Sequence, residues 1–186
     1  MSVSIPLWKF TVDDYARMAQ AGILGEDDRV ELLNGEIVKM APIGSLHASC
    51  VKGINRLFAS GLSELVVISV QDPIRLGSFS EPQPDLALLR VRDDLYREGH
   101  PGPEDILLVV EVSVSTAESD RLVKIPLYSQ WRIPQAWLVD LDAGVVEVYR
   151  LTEQGIYGPP ELVTGNGPVL IDAFPDVELT AADILG

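Results

Sequence analysis

Residues 105–140 read DILLVVEVSVSTAESDRLVKIPLYSQWRIPQAWLVD, and the reading of this stretch decides the fold. Ile106 to Val110 is an unbroken apolar run of strand length, the pattern of a strand buried on both faces. Glu111 stands at the end of that run, where a strand of an α/β sheet delivers a side chain to a crevice. A loop of Ser and Thr follows, then a predicted helix carrying Asp120, Lys124 and Tyr128 at i, i+4 and i+8. Gln135 to Asp140 supplies a second apolar strand. A carboxylate at a strand end and a lysine on the next helix are thereby brought within reach of one site.

Towards the N-terminus, SEPQPDLALLR places Asp85 between Pro84 and a predicted strand, Leu86 to Leu89. Pro82 and Pro84 hold the approach extended, so Asp85 has little freedom. An aspartate there also commonly bonds its own loop backbone. Further upstream, RVELLNGEIVKM (residues 29–40) predicts a hairpin turning at Asn34-Gly35. Alternation puts Arg29, Glu31 and Leu33 on one face of its first strand, and pattern alone slightly favours an exposed edge-strand role for Glu31. Ser45 to Leu62 predicts a helix with Leu46, Cys50, Ile54, Leu57 and Phe58 on its apolar face and His47 in its first turn. A histidine so placed is usually a capping or packing residue, yet it can reach a site above the helix start. Thr11 with Asp14 predicts a capped helix over 11–21, and strands are expected at Val66–Val70 and from Ile74 to Leu76. Downstream, Asp142-Ala143-Gly144 turns a hairpin between Leu138 and Tyr149, and short strands with a final helical turn at Thr180–Leu185 complete the chain.

A length of 186 residues with 47% hydrophobic content bounds this to one domain, residues 1–186, with a core of its own. The apolar runs are too short to span a bilayer, and MSVSIPLWKF lacks the plan of a secretory signal. A lone cysteine, Cys50, excludes an internal disulfide and a cysteine-based zinc site, and a cytoplasmic location is expected. The net charge of −14 repels polyanions at long range, and no basic patch offsets it. Part of the excess lies beyond Arg150, where Glu153, Glu161, Asp172, Asp176, Glu178 and Asp183 have no Lys or Arg among them; a solvated acidic extension, 151–186, is expected.

Asp85, Glu111 and Lys124 are thus polar residues where a core prefers apolar ones. Neighbouring strands would bring the two carboxylates together, at a cost in free energy that a cation relieves. Mg²⁺ suits such a pair, because it takes one or two carboxylates and completes its shell with water and phosphate. Lys124 would then position or deprotonate water, and the chemistry fits phosphodiester hydrolysis. Two unrelated strand-end carboxylates and a surface Asp120–Lys124 pair account for the same spacing equally well.

Several segments in the same order resemble a large bacterial family of restriction-endonuclease-like proteins, abundant in cyanobacteria, within the PD-(D/E)xK nuclease superfamily. They are FTVDDYARMAQAGIL, RVELLNGEIVKMAPIGSLHA, VQDPIRL, EPQPDLALLR, ILLVVEVSVST and DRLVKIPLYSQWRIPQAWLVDL, spanning about residues 10–150. The resemblance implies an α/β (α+β) restriction-endonuclease-like fold, a mixed central sheet flanked by helices. It implies that Asp85 is the aspartate of the PD motif, that Glu111 is the acid of the second half, and that both ligate Mg²⁺ or Mn²⁺. Ser113 occupies the usual lysine position, so Lys124 stands as a lysine displaced onto the next helix. Glu31 matches the N-terminal glutamate that completes such sites, and His47 the recurrent histidine. Val114 departs from the family, which usually has an acid there.

The resemblance therefore implies a metal-dependent endonuclease acting on DNA without a membrane, and a homodimer is expected because nucleases of this fold often pair to cut two strands. The charge keeps two other readings open: a catalytically inactive binding or assembly module, and a hydrolase of a smaller phosphorylated substrate.

Overall fold

A computed structural model describes residues 7–25 and 27–186. The N-terminal stretch read for a secretory signal lies partly outside them. In chain order the elements are α1 (Val12–Gln20), β1 (Val30–Leu33), β2 (Glu36–Lys39), α2 (Ser45–Leu62), β3 (Val67–Val70), β4 (Leu86–Leu89), β5 (Ile106–Ser113), α3 (Ala117–Ser119), a π turn (Asp120–Lys124), α4 (Ile125–Gln130), β6 (Gln135–Asp140), β7 (Val145–Arg150), β8 (Glu161–Val163), β9 (Pro168–Ile171), β10 (Phe174–Thr180) and α5 (Ala181–Leu185). A six-stranded sheet of order β3-β4-β5-β6-β7-β8 forms the centre. It is mixed, because β5 and β6 run parallel while the other neighbours are antiparallel. The parallel pair requires a crossover, and α3, the π turn and α4 provide it.

Alternation along the strands divides the core in two. Leu86 and Leu88 of β4, Val110 and Val112 of β5, and Trp137 and Val139 of β6 face α2, α5 and the β9–β10 hairpin. Phe58 meets Trp137 there at a ring separation of 6.0 Å, and each is essentially inaccessible to solvent. Burying an aromatic of this size contributes about 1.5–3 kcal/mol. Ala87, Val109, Ala136 and Leu138 face the opposite way, against Ile125, Leu127 and Tyr128 of α4 and Leu33 of β1. This second face holds the candidate site. The region 151–186 is partly structural, since Val163, Val169, Ile171, Leu179 and Ile184 enter the first core while its acids stay exposed.

The Thr11–Asp14 capping box and the Asn34-Gly35 turn, with φ of 50° and 78°, form as the sequence predicts. Three details differ. Ile74 to Leu76 is not a strand; Ile74 and Leu76 are fully buried, but the amides of Ile74, Arg75 and Leu76 bond to loop carbonyls at Pro82, Pro101 and Ser80. Leu46 is exposed, and Val51 and Leu62 take its place on the buried face of α2. Glu31 is buried rather than on a free edge, because Glu81 bridges Leu32 and covers the outer side of β1.

The crossover helix also departs from simple periodicity. The Ile125 amide bonds to the Asp120 carbonyl five residues back, which widens the helix by one residue. Pro126 follows immediately. A proline inside an α-helix clashes with the carbonyl four residues earlier and lacks the amide to bond it, and a wide turn lets the helix continue past that clash.

Candidate active site

The sheet register brings the two predicted carboxylates together. Leu86 lies opposite Val110, so Asp85, one residue before β4, continues the register opposite Glu111. Residues directly opposite each other project from the same face. The same reasoning on β3, where Val70 opposes Leu86, sets Gln71 opposite Asp85.

Asp85 is held by three donors. Its Oδ2 lies 2.9 Å from His47 Nε2 and accepts the Val112 amide at 2.9 Å, while Oδ1 accepts the Gln71 side-chain amide at 3.1 Å. Gln71 has a left-handed backbone, φ 57°, unusual for a residue other than glycine and a sign that its surroundings enforce the pose. Burial pushes the Asp85 carboxyl up, but the His47 bond and charge, with the Val112 and Gln71 bonds, outweigh it and hold the group below its ordinary value. His47 is raised in turn, chiefly by its bond to Asp85. Its Nδ1 is buried without a hydrogen-bond partner among the described residues.

Glu111 sits deeper, inside β5 rather than at its end. Its Oε1 accepts the Tyr128 hydroxyl at 2.5 Å, and the Lys124 ammonium lies 3.3 Å from the same oxygen. Lys124 also reaches Glu31 Oε2 at 3.1 Å, which accepts the Gln83 amide at 3.1 Å. Glu31, Glu111 and Lys124 are 4%, 3% and 8% exposed. Lys124 is therefore no surface partner of Asp120; it is the cation inside a buried carboxylate pair. Burial raises the Glu111 pKa to about 8, with Asp85, Asp120 and Glu31 adding to the rise and Lys124 opposing it. Burial disfavours the charged Lys124, yet Glu111, Glu31 and Asp120 more than compensate and keep it an ammonium. Asp120 is raised by burial too, though Thr116 donates to it at 3.1 Å.

All five sequence-derived residues thus meet: His47 on Asp85, Asp85 opposite Glu111, and Lys124 between Glu111 and Glu31. Sequence reasoning missed Gln71, Asp120 and Tyr128 as members of the cluster. Tyr128 had a signal, its spacing of one further turn from Lys124; Gln71 had only its place after a strand. Glu31, Glu111 and Asp120 gather around the one lysine, with Asp85 opposite Glu111, and ionisation of all four would leave an excess of negative charge that a cation would offset. Among the described residues no three His, Cys, Asp or Glu side chains form a ready metal cage. The donor set is nevertheless hard oxygen from two carboxylates, which suits an ion that keeps several waters. Two open grooves, of about 320 Å³ around Trp8 and Met18 and about 660 Å³ along Pro126 and Tyr157, lie elsewhere and include none of these residues. Among the described residues no helix is long and apolar enough to cross a membrane.

Comparison with known proteins agrees with this architecture. No curated protein matches the chain. A crystal structure described as a "putative nuclease belonging to DUF820" from Anabaena variabilis is similar in fold, with a TM-score of 0.71 at 15% identity, covering 95% of this chain and 97% of the other. A family model described as "Putative restriction endonuclease" matches residues 12–182, including the C-terminal strands beyond the segments that carry the resemblance in sequence. The chain belongs to that family, Uma2.

Proposed function

We propose that the protein is a metal-dependent endonuclease that hydrolyses phosphodiester bonds, with DNA as substrate. The observation that carries this reading is the convergence of Asp85 and Glu111 on one face of adjacent strands, beside a buried lysine. Asp85 and Glu111 would hold Mg²⁺ or Mn²⁺, which when bound supplies a lowered pKa for water and neutralises charge at the phosphate. Asp85 is prepared for this role, because His47, Gln71 and the Val112 amide keep it ionised and fixed. Glu111, raised to about 8 by burial, carries a proton readily in the metal-free site, and a bound cation would favour its ionised form. Lys124 keeps its proton and donates from Nζ, so its role is to orient water and stabilise developing negative charge rather than to act as a base. Glu31 aims that ammonium, and Tyr128 aims the Glu111 carboxylate.

The test is cleavage of plasmid and single-stranded DNA with Mg²⁺ or Mn²⁺. Cutting should vanish in Asp85→Ala; equal residual cutting by that variant would mean contamination and sink the reading. The net charge of −14 favours a second reading, a hydrolase of a smaller phosphorylated substrate that needs less positive surface. Nucleotides hydrolysed faster than DNA would decide for it.

A further inference from the structure

The sheet register carries a second acid in line with Glu111. Glu111 opposes Leu138 on β6, and Leu138 opposes Glu147 on β7. Both acids therefore leave the same face, two strand spacings or about 10 Å apart. The π turn supplies a cation to each: Lys124 to Glu111, and Arg121 to Glu147. Arg121 grips Glu147 as a fork. Its Nε lies 3.2 and 3.1 Å from the two carboxylate oxygens, Nη2 also bonds Oε1, and the same Nη2 reaches Asp140 Oδ2 at 3.4 Å. Tyr149 donates its hydroxyl to Glu147, and Glu147 is only 5% exposed.

This ion pair has a particular burden. The π turn has no apolar anchor of its own, because Leu122 and Val123 are 67% and 38% exposed, and in α3 before it only Ala117 packs, partly buried, against the second core. An open groove runs past the ion pair itself, lined by Arg121, Glu147 and Tyr149 together with Ile125, Pro126 and Tyr157. Beyond Ala117, polar side-chain contacts hold the segment up to Lys124: Thr116 to Asp120, Arg121 to Glu147, and Lys124 to its two glutamates.

We propose that Arg121 is a positioning residue for Lys124, clamping the π turn to Glu147, Asp140 and Tyr149 so that the ammonium stays between Glu31 and Glu111. The consequence for turnover rests on the nuclease reading above; the placement of Lys124 does not. A bidentate arginine is needed, since a lysine at 121 would offer a point charge without the planar fork.

The test pairs two readouts in Arg121→Gln and Arg121→Lys. In the metal-free protein, ¹⁵N NMR of the lysine ammonium groups should show Lys124 as a protected, slowly exchanging signal, lost in Arg121→Gln and at least several-fold faster in exchange in Arg121→Lys. In the nuclease assay kcat should fall roughly 10–100-fold in Arg121→Gln with KM within about twofold, and recover in part with Arg121→Lys. A Lys124 signal in Arg121→Gln that matches the wild type overturns the proposal. If that variant does not fold, Arg121→Lys decides alone, and exchange identical to the wild type overturns it. Absence of cleavage by the wild type would instead defeat the nuclease reading and leave the NMR arm to judge the clamp.

Discussion

The Lys124 ammonium lies 3.1 Å from the Glu31 carboxylate, tying the crossover helix to an N-terminal hairpin that belongs to a different sheet. This contact balances charge in a buried place, so its removal has two consequences. Lys124→Met leaves Glu31 and Glu111 facing each other without a cation. Breaking a buried ion pair costs about 3–5 kcal/mol, and protonation of the carboxylates relieves that cost at low pH. Urea denaturation should therefore show a larger loss at pH 8 than at pH 5, and DNA cleavage should fall by at least about 10²-fold.

Glu111 makes the metal-free protein less stable as pH rises. Burial lifts its pKa from the ordinary 4.5 to about 8. Between those values the folded protein keeps a proton that the unfolded chain has released, so stability declines through that window by at most about 1.4 kcal/mol per pH unit. His47, also raised in the folded state, adds a slope of the same sign as pH passes its folded pKa. Comparing wild type with Glu111→Gln isolates the glutamate: the variant should be flatter with pH and more stable at pH 8. Adding Mn²⁺ should reverse the trend in the wild type alone, because binding needs the ionised carboxylate. An identical pH slope in both proteins would refute the assignment.

Asp85→Asn tests the other carboxylate. The Asp85 oxygens accept from three donors, and an asparagine amide would turn its own donor toward one of them. A loss of about 1–3 kcal/mol in stability follows from the bond left unmade. Cleavage should fall below detection. The His47 titration, followed by NMR, should move down, since Asp85 is the main cause of its elevation.

Gly77 offers a check on the fold away from the chemistry. Its backbone has φ of +69°, and a Cβ there would stand 2.3 Å from the Trp131 ring at the end of α4. Gly77→Ala should cost more than about 2 kcal/mol by thermal or urea denaturation. Pairing it with Trp131→Leu should recover part of the loss but not the part due to φ.

How far the sequence carries depends on how local the cause is. The Asn34-Gly35 turn and the Thr11 cap need only neighbouring residues, and both form as read. The Asp85–Glu111 pairing needs one inference more, that successive apolar runs are neighbours, whereas the mixed sheet follows from the family resemblance and not from periodicity. Glu31 resisted because what covers it comes from the distant Glu81 to Gln83 segment, which alternation along β1 does not contain. β5 runs past Glu111 to Ser113 for a similar reason: a glutamate after an apolar run resembles a strand end, but Tyr128 and Lys124 receive it inside the strand. Gln71 and Asp120 acquire their partners through backbone pose and helix widening, for which polar residue types leave no periodic trace.

The widened turn at Asp120–Lys124 has one more consequence, for insertion and deletion. A lysine two residues from its acid on one strand is locked to it by the pleat, and nothing short of breaking the strand separates them. Here Lys124 lies thirteen positions after Glu111, and one of the residues between them is surplus to an ordinary α-helical count. Removing a single residue such as Leu122, whose side chain is exposed, would restore the ordinary count but bring Arg121 and Lys124 from three positions apart to two, about 200° apart around the helix. Lys124 and Arg121 could then no longer both find their acids. The most dispensable-looking side chain of the helix is thus a spacer, and its value lies in its length along the chain and not in anything it touches.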